Sequence, residues 1–132
     1  MTITYKVNHP ISAQQLANVF EQSGIKRPYD DLKRLQQMIN NSSLLISAWD
    51  EQALIGVARS MTDFSYCCYL SDLAVISTHQ ERGVGKKLID LTREQIGPSC
   101  NLVLLSAPNA MSYYPKISFT AASHAFFIPR TN

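Results

Sequence analysis

The sequence predicts a single α/β (α+β) domain, covering residues 1–132, with a mixed and mostly antiparallel sheet. The length is the first observation, since 132 residues suffice for one hydrophobic core but not for two independent ones. The second is that helical periodicity before residue 40 gives way to strand-like runs separated by short polar turns. The third is a strand–helix–strand pattern after residue 66, which is typical of a mixed sheet.

The first 41 residues predict one strand and two helices. Thr2–Val7 alternates and is rich in β-branched residues, so it predicts a first strand. Ser12 and Gln15 form a capping-box pattern at the start of a helix that Gly24 ends. A second helix is predicted from residues 30–31 onwards, and its apolar stripe is Leu32, Leu35 and Ile39.

The middle of the chain predicts an antiparallel meander. Ser43–Trp49, Ala53–Met61 and Tyr66–Ile76 each have strand composition, and the turns between them are short and polar. Antiparallel neighbours need only such short connections. We therefore expect three consecutive strands to pair in chain order.

The last third predicts a long helix followed by shorter elements. Gly83–Ile96 carries apolar residues at helical spacing, and Gly97-Pro98 ends it. Leu102–Leu105 is apolar without alternation, which predicts a strand buried on both faces. Ala110–Lys116 predicts a short helix, and Ala125–Ile128 predicts a last strand.

Composition excludes several classes of function. Apolar residues make up 45% of the chain and the formal net charge is only +2, so neither disorder nor wholesale nucleic-acid binding is expected. No apolar run approaches 18 residues, and Met1–Pro10 lacks the apolar region of a secretory signal. We therefore expect a cytoplasmic protein that does not bind membranes. The oligomeric state is open, and a homodimer is compatible with the sequence.

The cysteines and histidines do not predict a metal site or a disulfide framework. Cys67 and Cys68 are adjacent, Cys100 stands apart, and the histidines are scattered at positions 9, 79 and 124. Small buried thiols on strands are the more common interpretation of such cysteines.

The segment Gln80–Gly85 predicts a phosphate site, because a strand runs there into a glycine-containing loop that opens a helix. Free N–H groups at a helix N-terminus bind phosphate oxygens, and glycine lets the ligand approach the backbone. Arg82, Lys86 and Lys87 add cations. A P-loop would need glycine where this chain has Gln80, and Ser or Thr where it has Lys87. A dinucleotide fingerprint would need glycine where the chain has Leu88, so neither of these two motifs fits.

Two motifs resemble those of the GNAT superfamily of acyl-CoA-dependent N-acetyltransferases. Gln80-Glu-Arg-Gly-Val-Gly85 matches the family signature [QR]-x-x-G-x-[GA] at every position. Ala110-Met-Ser-Tyr-Tyr-Pro-Lys-Ile-Ser-Phe119 is similar to the family pattern A-x-x-[FY]-Y-x-K-x-G-F, and departs from it only at Ser118, where glycine is usual. The resemblance implies helices on both faces of the sheet and acetyl-CoA as co-substrate, without a metal.

The resemblance also implies where acetyl-CoA binds. The pyrophosphate would lie on the amides from Glu81 to Lys86, and the pantetheine would pair with a bulged fourth strand. The cofactor-binding residues implied in this way are Leu73, Ala74, Val75, Gln80, Glu81, Arg82, Gly83, Val84, Gly85, Lys86 and Asn109.

For catalysis, the resemblance implies that Tyr114 protonates the departing CoA thiolate. Asp72, beside the bulge, is the first candidate for the general base, with Asp63 or a water path as alternatives. The acceptor implied by the resemblance is a primary amine of a small molecule or peptide. The candidates that would contact it are Arg27, Tyr29, Asp63, Phe64 and Tyr66. A module that senses acyl-CoA without transferring the acyl group is the alternative function.

Overall fold

A five-stranded sheet with the order β1-β2-β3-β4-β5 runs through the molecule, and the computed structural model describes residues 2–132. The strands are Ile3–Val7 (β1), Leu44–Asp50 (β2), Ala53–Thr62 (β3), Cys67–Val75 (β4) and Asn101–Val103 (β5). The helices are Ala13–Ser23 (α1), Leu32–Asn40 (α2), Val84–Ile96 (α3) and Tyr113–Lys116 (α4). The first four strands pair antiparallel, and β5 joins β4 in parallel, which confirms the predicted mixed sheet.

The two N-terminal helices begin and end where local chemistry fixes them. Ser12 and Gln15 form the predicted capping box, in which the side chain of each accepts a hydrogen bond from the backbone N–H of the other at 2.9–3.0 Å. Gly24 ends α1 in the left-handed conformation, with φ of 83°. The Asp31 side chain caps α2 by accepting from the Arg34 amide.

Helices cover both faces of the sheet, as predicted, and each face has its own core. The face under α1 and α2 buries Leu16, Ala17, Val19, Phe20, Leu35, Leu45, Trp49, Val57 and Ala74. The face under α3 buries Leu44, Ile46, Ala48, Ile55, Ala58, Cys68, Leu70, Val84, Leu88, Ile89 and Ile96. β2, β3 and β4 therefore sit between two apolar layers, which explains why β2 is almost wholly buried.

Two sequence predictions about the last strands are wrong. Residues 125–128 form no strand, and Phe126 and Ile128 are almost fully exposed. β5 has only three residues, and Val103 is half exposed rather than buried on both faces. An apolar segment forms a strand only when a neighbouring strand pairs with it. For residues 125–128, the edge strand β5 has only three residues with which to pair. Within residues 2–132 no helix is both long enough and apolar enough to cross a membrane.

Candidate active site

The sheet opens between β4 and β5. The two strands pair only from Cys67 to Tyr69, opposite Asn101–Val103, in the part of the chain that the structure describes. β5 then ends, whereas β4 continues to Val75. The backbone edge of β4 from Leu70 to Val75 thus faces a gap instead of a strand. Unpaired N–H and C=O groups on such an edge can pair with an extended ligand.

β4 carries a bulge at the start of this open edge. Arg59 of β3 pairs with Asp72, and the next residue, Ser60, pairs with Leu70, so Ser71 is an extra residue. The bulge lies immediately before the residues predicted to contact pantetheine. Leu73, Ala74 and Val75 lie on the open edge that follows it.

The phosphate loop, defined here as residues 80–86, follows β4 after the short turn Ser77–His79. The first hydrogen bond within α3 runs from the Lys87 amide to the Gly83 carbonyl at 3.0 Å, so the amides of residues 84–86 have no partner inside the helix. Gly83 has φ of 80°, and a Cβ there would meet nothing within 4 Å. An open, exposed helix N-terminus of this kind can bind phosphate oxygens.

Side chains in the phosphate loop mostly stabilise the loop itself. The Gln80 amide nitrogen donates to the carbonyls of Val75 at 2.7 Å and Ser23 at 3.3 Å, which ties the loop to the ends of β4 and α1. Lys86 forms an exposed ion pair with Asp90 at 3.0 Å. Glu81 has φ of 63°, and Asn109 is exposed in the turn Pro108–Ala110. Their contacts with acetyl-CoA stay predictions.

The adjacent tyrosines of α4 have different surroundings. Tyr114 is half-buried, packs against the α3 core and makes an edge-on ring contact with Phe119 at 5.4 Å. Burial raises the pKa of Tyr114, the neighbouring Tyr113 raises it further, and the charge of Arg27 opposes both. Because its pKa is raised, Tyr114 keeps its proton at neutral pH, as a general acid requires. The Tyr113 hydroxyl lies instead beside Gly85, 3.3 Å from the point that a Cβ on that glycine would occupy.

Asp72, the predicted general base, is fully buried and binds two arginines. Arg27 donates from Nε to one carboxylate oxygen at 2.5 Å, and Arg59 donates from Nε to the other. Arg59 also donates to the hydroxyls of Ser42 and Ser71, at 3.2 and 3.1 Å. We call Arg27, Arg59, Ser71 and Asp72 the arginine–aspartate network. The base role of Asp72 stays a prediction.

The other acceptor-side candidates lie at the surface. The Asp63 carboxylate accepts from the amides of residues 65–67, and these hydrogen bonds lower its pKa to about 2. Such a carboxylate is a weak base and a good turn residue. Tyr29, Phe64 and Tyr66 are exposed. Arg27 differs from these residues because its side chain reaches the middle of β4.

Comparison with known proteins decides the family. The family model described as Acetyltransferase (GNAT) domain matches residues 11–127. The chain belongs to the GNAT acetyltransferase family. The predicted family and enzyme class are thereby confirmed, and acetyl transfer is the activity that the family assigns.

Similar proteins named as acetyltransferases agree with this assignment. The uncharacterized N-acetyltransferase ycf52 of Pyropia yezoensis is 27% identical over 119 residues, which cover 85% of this chain and 67% of that protein. The GNAT family acetyltransferase SP0256 of Streptococcus pneumoniae has a TM-score of 0.75 at 18% identity, covering 98% and 99% of the two chains. The aminoglycoside N-acetyltransferase AAC(6')-Iy in complex with CoA has a TM-score of 0.72 at 15% identity, covering 99% and 96%. The structural matches show that the fold is shared.

Two residues of this GNAT site were missed by the sequence prediction. Arg59 was included only in a strand and Ser71 only in the segment before Asp72, yet they form half of the arginine–aspartate network. The sequence does contain a signal for Arg59, because an arginine inside an apolar strand is rarely buried without an acidic partner. Nothing in the sequence points to Ser71, since a bulge depends on the register of two strands.

Proposed function

We propose that the chain transfers an acetyl group from acetyl-CoA to a primary amine of a small molecule or peptide. The observation that carries the proposal is the continuity of the open β4 edge with the phosphate loop. The edge from Leu70 to Val75 leads through one short turn to the free amides of α3. An extended arm that ends in a pyrophosphate matches this path along the backbone.

The relatives support both substrates. One matched structure is that of an aminoglycoside N-acetyltransferase in complex with CoA, and the curated relative is named as an N-acetyltransferase. Aminoglycosides carry amino groups, so an amine acceptor suits this chain as well. We carry over the class of acceptor and leave its identity to experiment.

The residues proposed to hold acetyl-CoA divide into two groups. The amides of Glu81 to Lys86 would hold the pyrophosphate, and the cations of the same loop would strengthen that contact. Leu73, Ala74, Val75 and Asn109 would hold the pantetheine arm. When bound, acetyl-CoA supplies an acetyl group activated as a thioester. No metal is part of the proposal, so we expect a chelator to leave the affinity for acetyl-CoA unchanged in calorimetry.

Proton transfers are assigned to this chain's own side chains where the structure allows. Tyr114 would donate its phenolic proton to the departing thiolate, and burial keeps that proton in place by raising the pKa of Tyr114. A backbone N–H at the β4 bulge would stabilise the oxyanion that forms when the amine attacks. In this proposal the acetyl carbon would lie beside the bulge, in the gap between β4 and β5.

The general base can be tested by a pH profile. If Asp72 is the base, the amine proton enters the arginine–aspartate network, whereas a water path leaves the charges of that network unchanged. If water takes the proton, kcat/KM rises with pH around the pKa of the acceptor amine itself. This ascending limb then shifts to lower pH when a less basic amine is used. If Asp72 takes it, the ascending limb stays in place across amines.

The decisive experiment is release of CoA thiol against a library of aminoglycosides, small amines and peptides. We expect acetyl-CoA binding in calorimetry and thiol release with at least one amine. Acetyl-CoA binding without thiol release against any amine would support the alternative, a module that senses acyl-CoA. Lack of acetyl-CoA binding by the folded protein would contradict both functions.

Three expectations from the sequence remain proposals alongside this function. They are that residues 1–132 form one N-acetyltransferase domain, that the protein works in the cytoplasm, and that it does not bind nucleic acids or membranes. The oligomeric state, with a homodimer compatible, is a matter for light scattering.

A further inference from the structure

Arg27 lies in the loop between α1 and α2, residues 24–31, on the side of the molecule where the acceptor is expected. The loop is folded by its own hydrogen bonds, from the Tyr29 amide to the Arg27 carbonyl at 2.8 Å and from the Asp31 amide to the Pro28 carbonyl at 3.0 Å. Asp31 then caps α2. Arg27 thus lies in a hydrogen-bonded turn that leads to the N-cap of α2.

The guanidinium of Arg27 holds three acceptors at once. It donates from Nε to Asp72 and from Nη2 to the carbonyl of Ser71 at 2.7 Å, while Nη1 returns to the carbonyl of Lys26 at 2.7 Å. Ser71 is the bulge residue, whose place in the strand ladder is lost. The planar guanidinium of Arg27 therefore connects the Lys26 carbonyl in the loop to the Ser71 carbonyl in the bulge.

Neutralising Asp72 does not require Arg27. The carboxylate is fully buried and carries one negative charge, and Arg59, only 9% exposed, already pairs with one of its oxygens. A second guanidinium adds a positive charge to a partly buried site, where desolvation opposes it. What Arg27 adds that Arg59 does not is a covalent connection to the loop of residues 24–31.

The same charge also acts on the proposed catalytic acid. The positive charge of Arg27 lowers the pKa of Tyr114, against the effects of burial and of Tyr113. Arg27 is thus in electrostatic range of the phenol as well as in contact with the bulge.

We propose that Arg27 is a positioning residue of the acceptor site, which fixes the loop of residues 24–31 against the β4 bulge through Asp72 and the Ser71 carbonyl. The proposal rests on the proposed function for its kinetic consequence. It does not rest on that function for the link between loop and bulge, which can be measured on the protein without any acceptor.

Hydrogen exchange measures the link directly. Arg27→Gln keeps the Arg59–Asp72 pair and should fold, and we expect the hydrogen-bonded loop amides of Tyr29 and Asp31 to exchange at least about tenfold faster than in the parent. Arg27→Lys keeps the charge but not the planar fork, so it should resemble Arg27→Gln. Lys26→Gln removes a neighbouring exposed charge from the same loop and serves as the control, with exchange like the parent.

Kinetics then test the role. With an amine found by thiol release, Arg27→Gln should raise KM for that amine about tenfold or more, because a displaced site loses its alignment. KM for acetyl-CoA should stay within about twofold of the parent. An effect on KM for acetyl-CoA as large as that for the amine would overturn the positioning role.

The outcomes separate the two proposals. Parent-like exchange in Arg27→Gln, or equally fast exchange in Lys26→Gln, would show that Arg27 does not fix the loop. Faster exchange with an unchanged KM for the amine would show a link without a role in acceptor binding, which overturns the positioning role. If the parent releases no thiol with any amine, the proposed function fails, while the exchange result still decides the link.

Discussion

The phosphate loop and the arginine–aspartate network lie along the same strand but are built in opposite ways. The phosphate loop is exposed, follows β4 directly and offers backbone amides. The network is buried in the middle of β4, and the two arginines that bind Asp72 lie 13 and 45 residues before it in the chain. A site made of backbone tolerates most side-chain changes that leave the helix start open. A site made of paired charges fails when one partner is lost.

The largest effect is expected at Tyr114, the proposed acid, which belongs to neither of these two regions. Tyr114→Phe keeps the ring contacts with Phe119 and removes the proton, so single-turnover transfer should fall roughly 10²–10⁴-fold. The affinity for acetyl-CoA should change little. Tyr113→Phe, whose hydroxyl lies at Gly85, is the control and should keep the parental rate of transfer. If Tyr113→Phe is the slow variant instead, the two tyrosines have been assigned in reverse.

Among these variants, loss of the single carboxylate of the arginine–aspartate network should cause the largest change in stability. Asp72→Asn leaves two guanidinium groups without their anion, and we expect a loss of about 3–5 kcal/mol in the free energy of unfolding. Urea denaturation measures it. Asp63→Asn is the matched control, because the amide oxygen can still accept from the turn amides at the surface. Equal midpoints for the two variants would contradict the contrast between buried and exposed regions.

The phosphate loop should respond in binding rather than in stability. Gly85→Glu places an anionic side chain at the helix N-terminus and should weaken acetyl-CoA binding about 10- to 100-fold, since charge-assisted contacts are displaced. Gly85→Ala is the control, because its Cβ would lie 3.3 Å from the Tyr113 hydroxyl, which a small shift relieves. Calorimetry gives both affinities. Parental affinity in folded Gly85→Glu would rule out the loop as the phosphate site.

The smallest effect is expected outside both regions, at the one motif position that departs from the family pattern. Ser118 has φ of 80°, so the backbone keeps the left-handed conformation that glycine adopts easily and serine does not. Ser118→Gly should raise the free energy of unfolding by about 1 kcal/mol, with acetyl-CoA affinity unchanged. Ser118→Ala keeps the strain and should not stabilise the protein. Stabilisation by alanine as well would mean that the conformation is not the cause.

The contrast between the two regions explains what the sequence could predict. The phosphate loop is local, so Gln80, Gly83 and Gly85 predict the turn into α3 that the structure shows, and they also predict its ligand class. Helix starts are local too, and the Ser12–Gln15 capping box formed as predicted. Strands paired by short turns were predicted within one or two residues at their ends.

The arginine–aspartate network could not be predicted, because it depends on three-dimensional register. Asp72 was chosen for its place beside the bulge, but its two partners come from the α1–α2 loop and from β3. The last strand failed for a related reason. Phe126, Phe127 and Ile128 have strand composition, yet strand formation depends on a partner edge that local sequence does not encode.

The division of the two cores has a consequence for the order in which the protein is made. Every buried member of both cores lies between Ile11 and Ile96, and Tyr114 packs against the α3 core from outside it. Because the chain leaves the ribosome N-terminus first, the sheet through β4, the arginine–aspartate network and the phosphate loop can therefore assemble before Tyr114 has emerged. The proposed binding surface for acetyl-CoA comes first, and the proposed acid that completes the chemistry is added last.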